Sequence, residues 1–295
     1  MLKPNDLVDV IAPSGSFEEA FLERAVVYLE SKGLRVRISK HILGEDLFSA
    51  NTDAMRGAQL KAALLAPDSR FIWPVRGGYG VTRVLPLLKD VPTPPFKKTL
   101  MGFSDLTALH LFLTQKWGWN TIHGPSLMQM VDHKIDAASH KTTEAFLFQT
   151  PITIDQAIEP RNASAKVNSV NSGIVTGGNL KLVESSLATF WQIDAHDKIL
   201  ILEEVNEQAY RIDRSLVHLE QAGVFQSIRA LILGDFTLEG SPKEEAKIEA
   251  TLARFSVTQR FPIFRMRGTG HGRENFPWIY GPGKINNHRF QQKGL

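Results

Sequence analysis

A chain of 295 residues, 43% hydrophobic and 22% charged, has ordinary globular composition and length enough for one large domain or two modest ones. Its net charge of +3 is mild, and no stretch concentrates Lys and Arg among aromatics, which excludes a nucleic-acid-binding patch. The absence of cysteine excludes disulfides, thiolate metal sites and a cysteine nucleophile.

In chain order, the opening MLKPNDLVDVIAPSG shows no basic segment followed by an apolar run, so no signal peptide is expected. No apolar stretch is long enough to span a bilayer, and a cytoplasmic enzyme is the default, or a periplasmic one if a leader has been removed. LVDVIA (7–12) has the pattern of a buried strand, and residues 16–33 that of a helix from Ser16 to Gly33. RVRIS (35–39) reads as a strand, 52–67 as a helix closed by Pro67, and FIWPV (71–75) as a strand whose proline suggests an edge or an irregularity. TRVLPLL (82–88) is a short helix, KTLMGF (98–103) a strand and SDLTALHLFLTQKW (104–117) a helix. Residues 149–173 turn polar and rich in Pro, Ser and Asn. This predicts an N-terminal domain over 1–150, a linker over 151–173 and a C-terminal domain over 174–295. The second half resumes with GIVTGGNLKLVESSLATF, the strand KILILEE (198–204), a helix over 211–223, the strand IRALILGDF (228–236) and a helix over 242–257. Strand–helix alternation of this kind predicts an α/β protein with a parallel sheet.

Four places could carry chemistry. Ser104 stands where a strand meets a helix: it is either a helix cap or a nucleophile presented on a turn. The flanking sequence is not G-x-S-x-G, because position 106 is leucine. The backbone N–H of Asp105, at the start of that helix, would be one oxyanion donor. VRGGYG (75–80) follows a strand; a backbone N–H of Gly77 or Gly78 could supply a second donor, and Arg76 could hold a substrate carboxylate or form a surface ion pair. Glu203 and Glu204 end a strand, and alternation points them to opposite faces, so only one can partner a histidine. His271 lies between Gly270 and Gly272 in a loop. No histidine pair has metal-ligand spacing.

VIAPSG, VRGGYG, GFSDLTAL, HGP, GGNL, LEEVNEQAYRIDR and GHG, in this order along nearly the whole chain, resemble the LD-carboxypeptidase family of serine peptidases. That family includes muramoyltetrapeptide carboxypeptidases and microcin C immunity hydrolases. The resemblance implies an N-terminal parallel-sheet α/β domain, a C-terminal α/β or α+β domain and an active site between them. It also implies a Ser104–Glu203–His271 triad, with oxyanion donors on the backbone of Asp105 and Gly78. The implied substrate is the peptidoglycan tetrapeptide stem, cut between meso-diaminopimelate and the terminal D-alanine, with Arg76 as a candidate for its carboxylate. No metal or cofactor, nucleic acid or membrane is implied; a homodimer is. The alternatives are a microcin-C-type peptidyl-nucleotide amidase, for which Phe276, Trp278 and Tyr280 are the nearest candidate clamp, and a degenerate muropeptide-binding protein.

Overall fold

The computed structural model describes residues 2–44, 46–148, 152–167 and 169–294. The chain divides into two compact units, Met1–Thr150 and Pro151–Gly294.

The first unit runs β1 (Leu7–Ile11), α1 (Ala20–Ser31), β2 (Arg35–Ile38), α2 (Asp53–Leu65), β3 (Phe71–Pro74), α3 (Val81–Val84), β4 (Thr99–Gly102), α4 (Thr107–Trp117), β5 (Thr121–His123), α5 (Leu127–Val131) and α6 (Ala137–Phe148). Within it the strand order is β5-β4-β3-β1-β2, every neighbouring pair parallel. β1, β3 and β4 read as short continuous apolar runs because helices cover both faces of such a sheet; Val8, Ile72, Trp73 and Leu100 are fully buried. Each side chain of this kind stabilises the fold by roughly 1.5–3 kcal/mol. Of the edge or irregularity that its proline suggested, the edge is excluded, because β3 is central. The Val75 N–H reaches Ile11 O on the β1 side, so the position of Pro74 that lacks an N–H faces β4. There the ladder has already ended, at Ile72 paired with Leu100. α4 is buried on nearly every side, from Thr107 to Leu113 and again at Trp117, and so has no polar stripe.

The second unit runs β6 (Thr153–Ala157), β7 (Glu159–Pro160), α7 (Ala163–Val167), β8 (Val170–Asn179), α8 (Leu180–Ser185), β9 (Lys198–Val205), α9 (Ala209–Gln221), β10 (Ala230–Thr237), α10 (Pro242–Thr258), β11 (Ile263–Arg265), β12 (Trp278–Tyr280), β13 (Pro282–Asn286) and β14 (Arg289–Lys293). Among the described residues its mixed sheet has the order β6-β14-β13-β8-β9-β10-β11-β7. β8 to β11 are parallel, and the flanking pairs antiparallel. The described part of 151–173 is therefore not a linker: β6 and β7 are the two edge strands of this sheet and β8 begins at Val170. Its polarity is that of strands wetted on one side, as in β6, where buried Ile154 stands between exposed Thr153 and Asp155. Trp278 and Tyr280 are buried at 1% and 3% exposure, the Tyr280 hydroxyl donating to Gly177 O at 2.8 Å. They are core residues, not an open clamp.

Candidate active site

Ser104 belongs to the first unit and the Glu203–His271 pair to the second. β4 ends at Gly102, Phe103 is extended, and Ser104 turns into the left-handed region at φ 64° before a 3-10 turn leads into α4. A residue with a Cβ pays on the order of 1–2 kcal/mol for that conformation. The turn lifts the half-buried Ser104 out of the strand line at the head of a helix, where backbone N–H groups lack intrahelical acceptors. His110, one turn into α4, fastens helix to strand by donating from Nε2 to Gly102 O at 2.8 Å, and burial holds its pKa down to about 4.

Two buried charged side chains tie the surrounding loops together. The Asp105 carboxylate, 2% exposed, accepts the Ser14 hydroxyl at 2.7 Å and the Val81 N–H at 2.9 Å. Burial pushes its pKa up to about 6, against those two hydrogen bonds and the charge of Arg56. Arg56, 1% exposed on α2, donates to Asn51 O at 2.8 Å, to Gly80 O at 3.0 Å and to Pro13 O, and pairs with Asp53. The loops after β1, before α2 and after β3 are thus pinned around one guanidinium fork. Gly77 lies against the serine: a Cβ there would stand 2.9 Å from Ser104 Cβ and 3.2 Å from its Oγ. Gly78, the expected oxyanion donor, has φ 125° and packs on Gly15. Arg76 is exposed in the same turn, with Nη1 donating to Ser16 O at 3.2 Å.

In the second unit the adjacent glutamates separate as strand alternation requires. Glu203, fully buried, accepts from His271 Nδ1 at 2.7 Å. Its other carboxylate oxygen is buried with no hydrogen-bond donor among the described residues. Glu204 faces the other way and accepts the Asn179 amide at 2.8 Å, the Lys181 N–H at 2.9 Å and the Val205 N–H at 2.9 Å, closing the β8–α8 turn. Burial, with the charge of Glu203, raises its pKa to about 7. For His271, burial opposes protonation, but the charge and hydrogen bond of Glu203, with the charge of Glu204, outweigh it and raise its pKa above 6.5. With Nδ1 donating to Glu203, the neutral imidazole presents Nε2 as a proton acceptor. A hydroxyl on a strained strand-to-helix turn and a carboxylate-oriented imidazole are the parts of serine-type acyl transfer.

Residues 8–124 match the LD-carboxypeptidase N-terminal domain and residues 172–283 the LD-carboxypeptidase C-terminal domain. The chain belongs to the LD-carboxypeptidase family. Membership makes it a hydrolase, a serine carboxypeptidase. A Rickettsia conorii relative with a provisional carboxypeptidase name is 37% identical over 84% of this chain and 78% of its own. The murein tetrapeptide carboxypeptidase of Pseudomonas aeruginosa is 27% identical over 93% of this chain and 91% of its own. Among solved structures, the muramoyltetrapeptide carboxypeptidase from Oxalobacter formigenes shares the fold at TM-score 0.82 and 23% identity, over 97% of this chain and 98% of that one. Among the described residues of this LD-carboxypeptidase, no group of three or more His, Asp or Glu could hold a metal, and no helix is long and apolar enough to cross a membrane. Sequence reasoning passed over Gly77 as the glycine that touches Ser104, and over Ser14 and Arg56. Ser14 lies within the APSG motif; Arg56 left no local signal.

Proposed function

We propose that this LD-carboxypeptidase releases the terminal D-alanine from the tetrapeptide stem of peptidoglycan, using Ser104, His271 and Glu203 as its triad. The observation that carries the reading is the 2.7 Å hydrogen bond from His271 to buried Glu203 in a chain of this family. His271 Nε2 takes the proton of Ser104 Oγ as that oxygen attacks the carbonyl carbon on the L-centre of diaminopimelate. The oxyanion that forms is met by the backbone N–H groups of Asp105 and Gly78. Collapse breaks the C–N bond, and the imidazolium returns its proton to the leaving amine of D-alanine. Water, deprotonated by His271, then attacks the acyl-serine carbonyl, releasing the tripeptide acid and restoring the Ser104 hydroxyl. Glu203 holds the imidazole tautomer and stabilises the imidazolium without taking its proton. Arg76 supplies a guanidinium fork for the free carboxylate that an exopeptidase must recognise.

A cytoplasmic homodimer acting in cell-wall recycling is part of the same reading. The test is mass spectrometry of purified muropeptides after incubation with the protein. Tetrapeptide stems should lose one alanine residue, tripeptide and pentapeptide stems should persist, and a tetrapeptide ending in D-alanine amide should be cleaved far more slowly. Intact tetrapeptide defeats the reading, and equal cleavage of acid and amide removes carboxylate recognition from it.

A further inference from the structure

The loop that carries His271 is rich in glycine. Gly268, Gly270 and Gly272 alternate through it, and such residues leave the backbone free unless neighbours fix it. The Phe276 N–H donates to Gly268 O at 2.8 Å where the loop begins, and the end of β10 fastens the stretch next to His271. The Asp235 N–H donates to Thr269 O at 2.7 Å, and Asp235 Oδ2 accepts the Thr269 N–H at 3.0 Å, a two-way clasp two residues from His271. The pairing of β9 with β10 shifts between Leu233 and Phe236, so Asp235 lies in the irregularity and not in the regular ladder. Arg265, the last residue of β11, is 8% exposed and brings Nη2 to 4.0 Å from Asp235 Oδ1. Its Nη1 is buried without a hydrogen-bond acceptor among the described residues, and its guanidinium lies 6.0 Å from the Phe236 ring centroid. The clasp acts on a crowded point: at Gly270, φ 136°, a Cβ would stand 2.9 Å from Glu203 Oε2 and 3.4 Å from Asp235 O.

We propose that Asp235, with Arg265 as its counter-ion, is a positioning residue that holds the 268–272 loop so that His271 Nδ1 stays on Glu203. In this scheme Asp235 acts through the Thr269 backbone. Its link to catalysis rests on the reading of His271 as the general base, whereas its effect on the His271–Glu203 bond does not.

The test compares Asp235→Ala and Asp235→Asn with the wild-type full chain, following thermal midpoint, kcat and KM on tetrapeptide, and the low-field proton resonance of His271 Nδ1–H, assigned by its absence from His271→Ala. Asparagine keeps a carbonyl oxygen for the Thr269 N–H; alanine does not. Asp235→Ala should lose or broaden the low-field line, and displacement of a catalytic base by about 1 Å should lower its kcat on the order of 100-fold with KM little changed. Asp235→Asn should recover both the line and most of kcat, which a general loss of stability does not produce. If Asp235→Ala does not fold, hydrogen exchange of the Thr269 amide in the wild type decides: a protected amide supports the clasp, and one that exchanges as fast as an open loop overturns it. An Asp235→Ala protein with the line intact and normal kcat also overturns it. Normal turnover by His271→Ala defeats the catalytic reading instead, while the resonance and the exchange rate still decide whether Asp235 holds the loop.

Discussion

Ser104 occupies a backbone conformation that favours glycine, and its proposed role as nucleophile accounts for a side chain there. Ser104→Ala should keep the fold and lose at least ~10³-fold in kcat on tetrapeptide. Ser104→Gly should be equally inactive yet unfold at higher urea, by about 1 kcal/mol, since the left-handed turn then carries no Cβ. A Ser104→Gly protein less stable than the alanine variant contradicts the strained turn. The two glutamates divide the remaining work. Glu203 raises the His271 pKa; in the proposed mechanism His271 must be neutral to act as the base, so kcat/KM should fall as pH drops through a value above 6.5. In the proposed triad, Glu203→Gln should lower kcat by roughly 10⁴-fold and move the acid limb of the pH profile downward. Glu204→Gln should keep most of kcat and instead cost about 1–3 kcal/mol, because one amide oxygen cannot serve the three donors that its carboxylate now accepts. The reverse pattern would put the strand register one residue out.

Turns and the loops between elements decide whether these residues meet their partners. Gly77→Ala places a methyl group 2.9 Å from Ser104 Cβ, so the serine must shift. The variant should fold with a thermal midpoint close to the wild type and lose about 100-fold or more in kcat; full activity would show that the turn after β3 does not set the serine. Elements of this kind differ in how plainly the sequence declares them. The runs at β1, β3, β4, β9 and β10 are apolar stretches punctuated by amphipathic helices, and the strand–helix alternation follows from them. β6, β7 and β14 are edge or near-edge strands whose wet faces made them read as loop or left them unassigned. The β13–β14 hairpin hides its turn in Asn287 and His288, at φ 48° and 57°, where a glycine would have announced it. Of the candidate site, Ser104 and His271 stood out through their turn and glycine neighbours, and alternation separated the two glutamates without choosing between them. Arg56 was illegible because an arginine on an amphipathic helix reads as solvated; it is buried only because loops distant in sequence bring carbonyls of Pro13, Asn51 and Gly80 to its fork.

Across the whole molecule, each unit contains a buried carboxyl with a raised pKa, Asp105 at about 6 in the first and Glu204 at about 7 in the second. An acid of this kind binds its proton more tightly folded than unfolded. It therefore favours the folded state fully only below its unfolded value, and that contribution is lost as pH rises through the folded one. The windows run from 3.8 to about 6 for Asp105 and from 4.5 to about 7 for Glu204. For Asp105 a shift of this size corresponds to about 3 kcal/mol, at 1.36 kcal/mol per pKa unit. Half-buried Asp53 and exposed Asp68, with lowered values, act oppositely only below their ordinary 3.8, and buried His110, held down to about 4, acts oppositely between about 4 and 6.5 but is outweighed by the two carboxyls together. Urea unfolding of the wild type should thus show stability falling from pH 4.5 to pH 7.5. Asp105→Asn cannot ionise, and both donors that Asp105 receives fall on one oxygen, which an amide oxygen can replace. Its stability should change less over that interval, by about 2 kcal/mol, and at pH 7.5 it should be at least as stable as the wild type. If the two units unfold in separate transitions, only one of them should respond to Asp105→Asn, and the other to Glu204→Gln. Parallel pH curves for Asp105→Asn and wild type would mean that the Asp105 carboxyl is not raised by burial, and that the Ser14 and Val81 contacts hold it fully ionised in the fold.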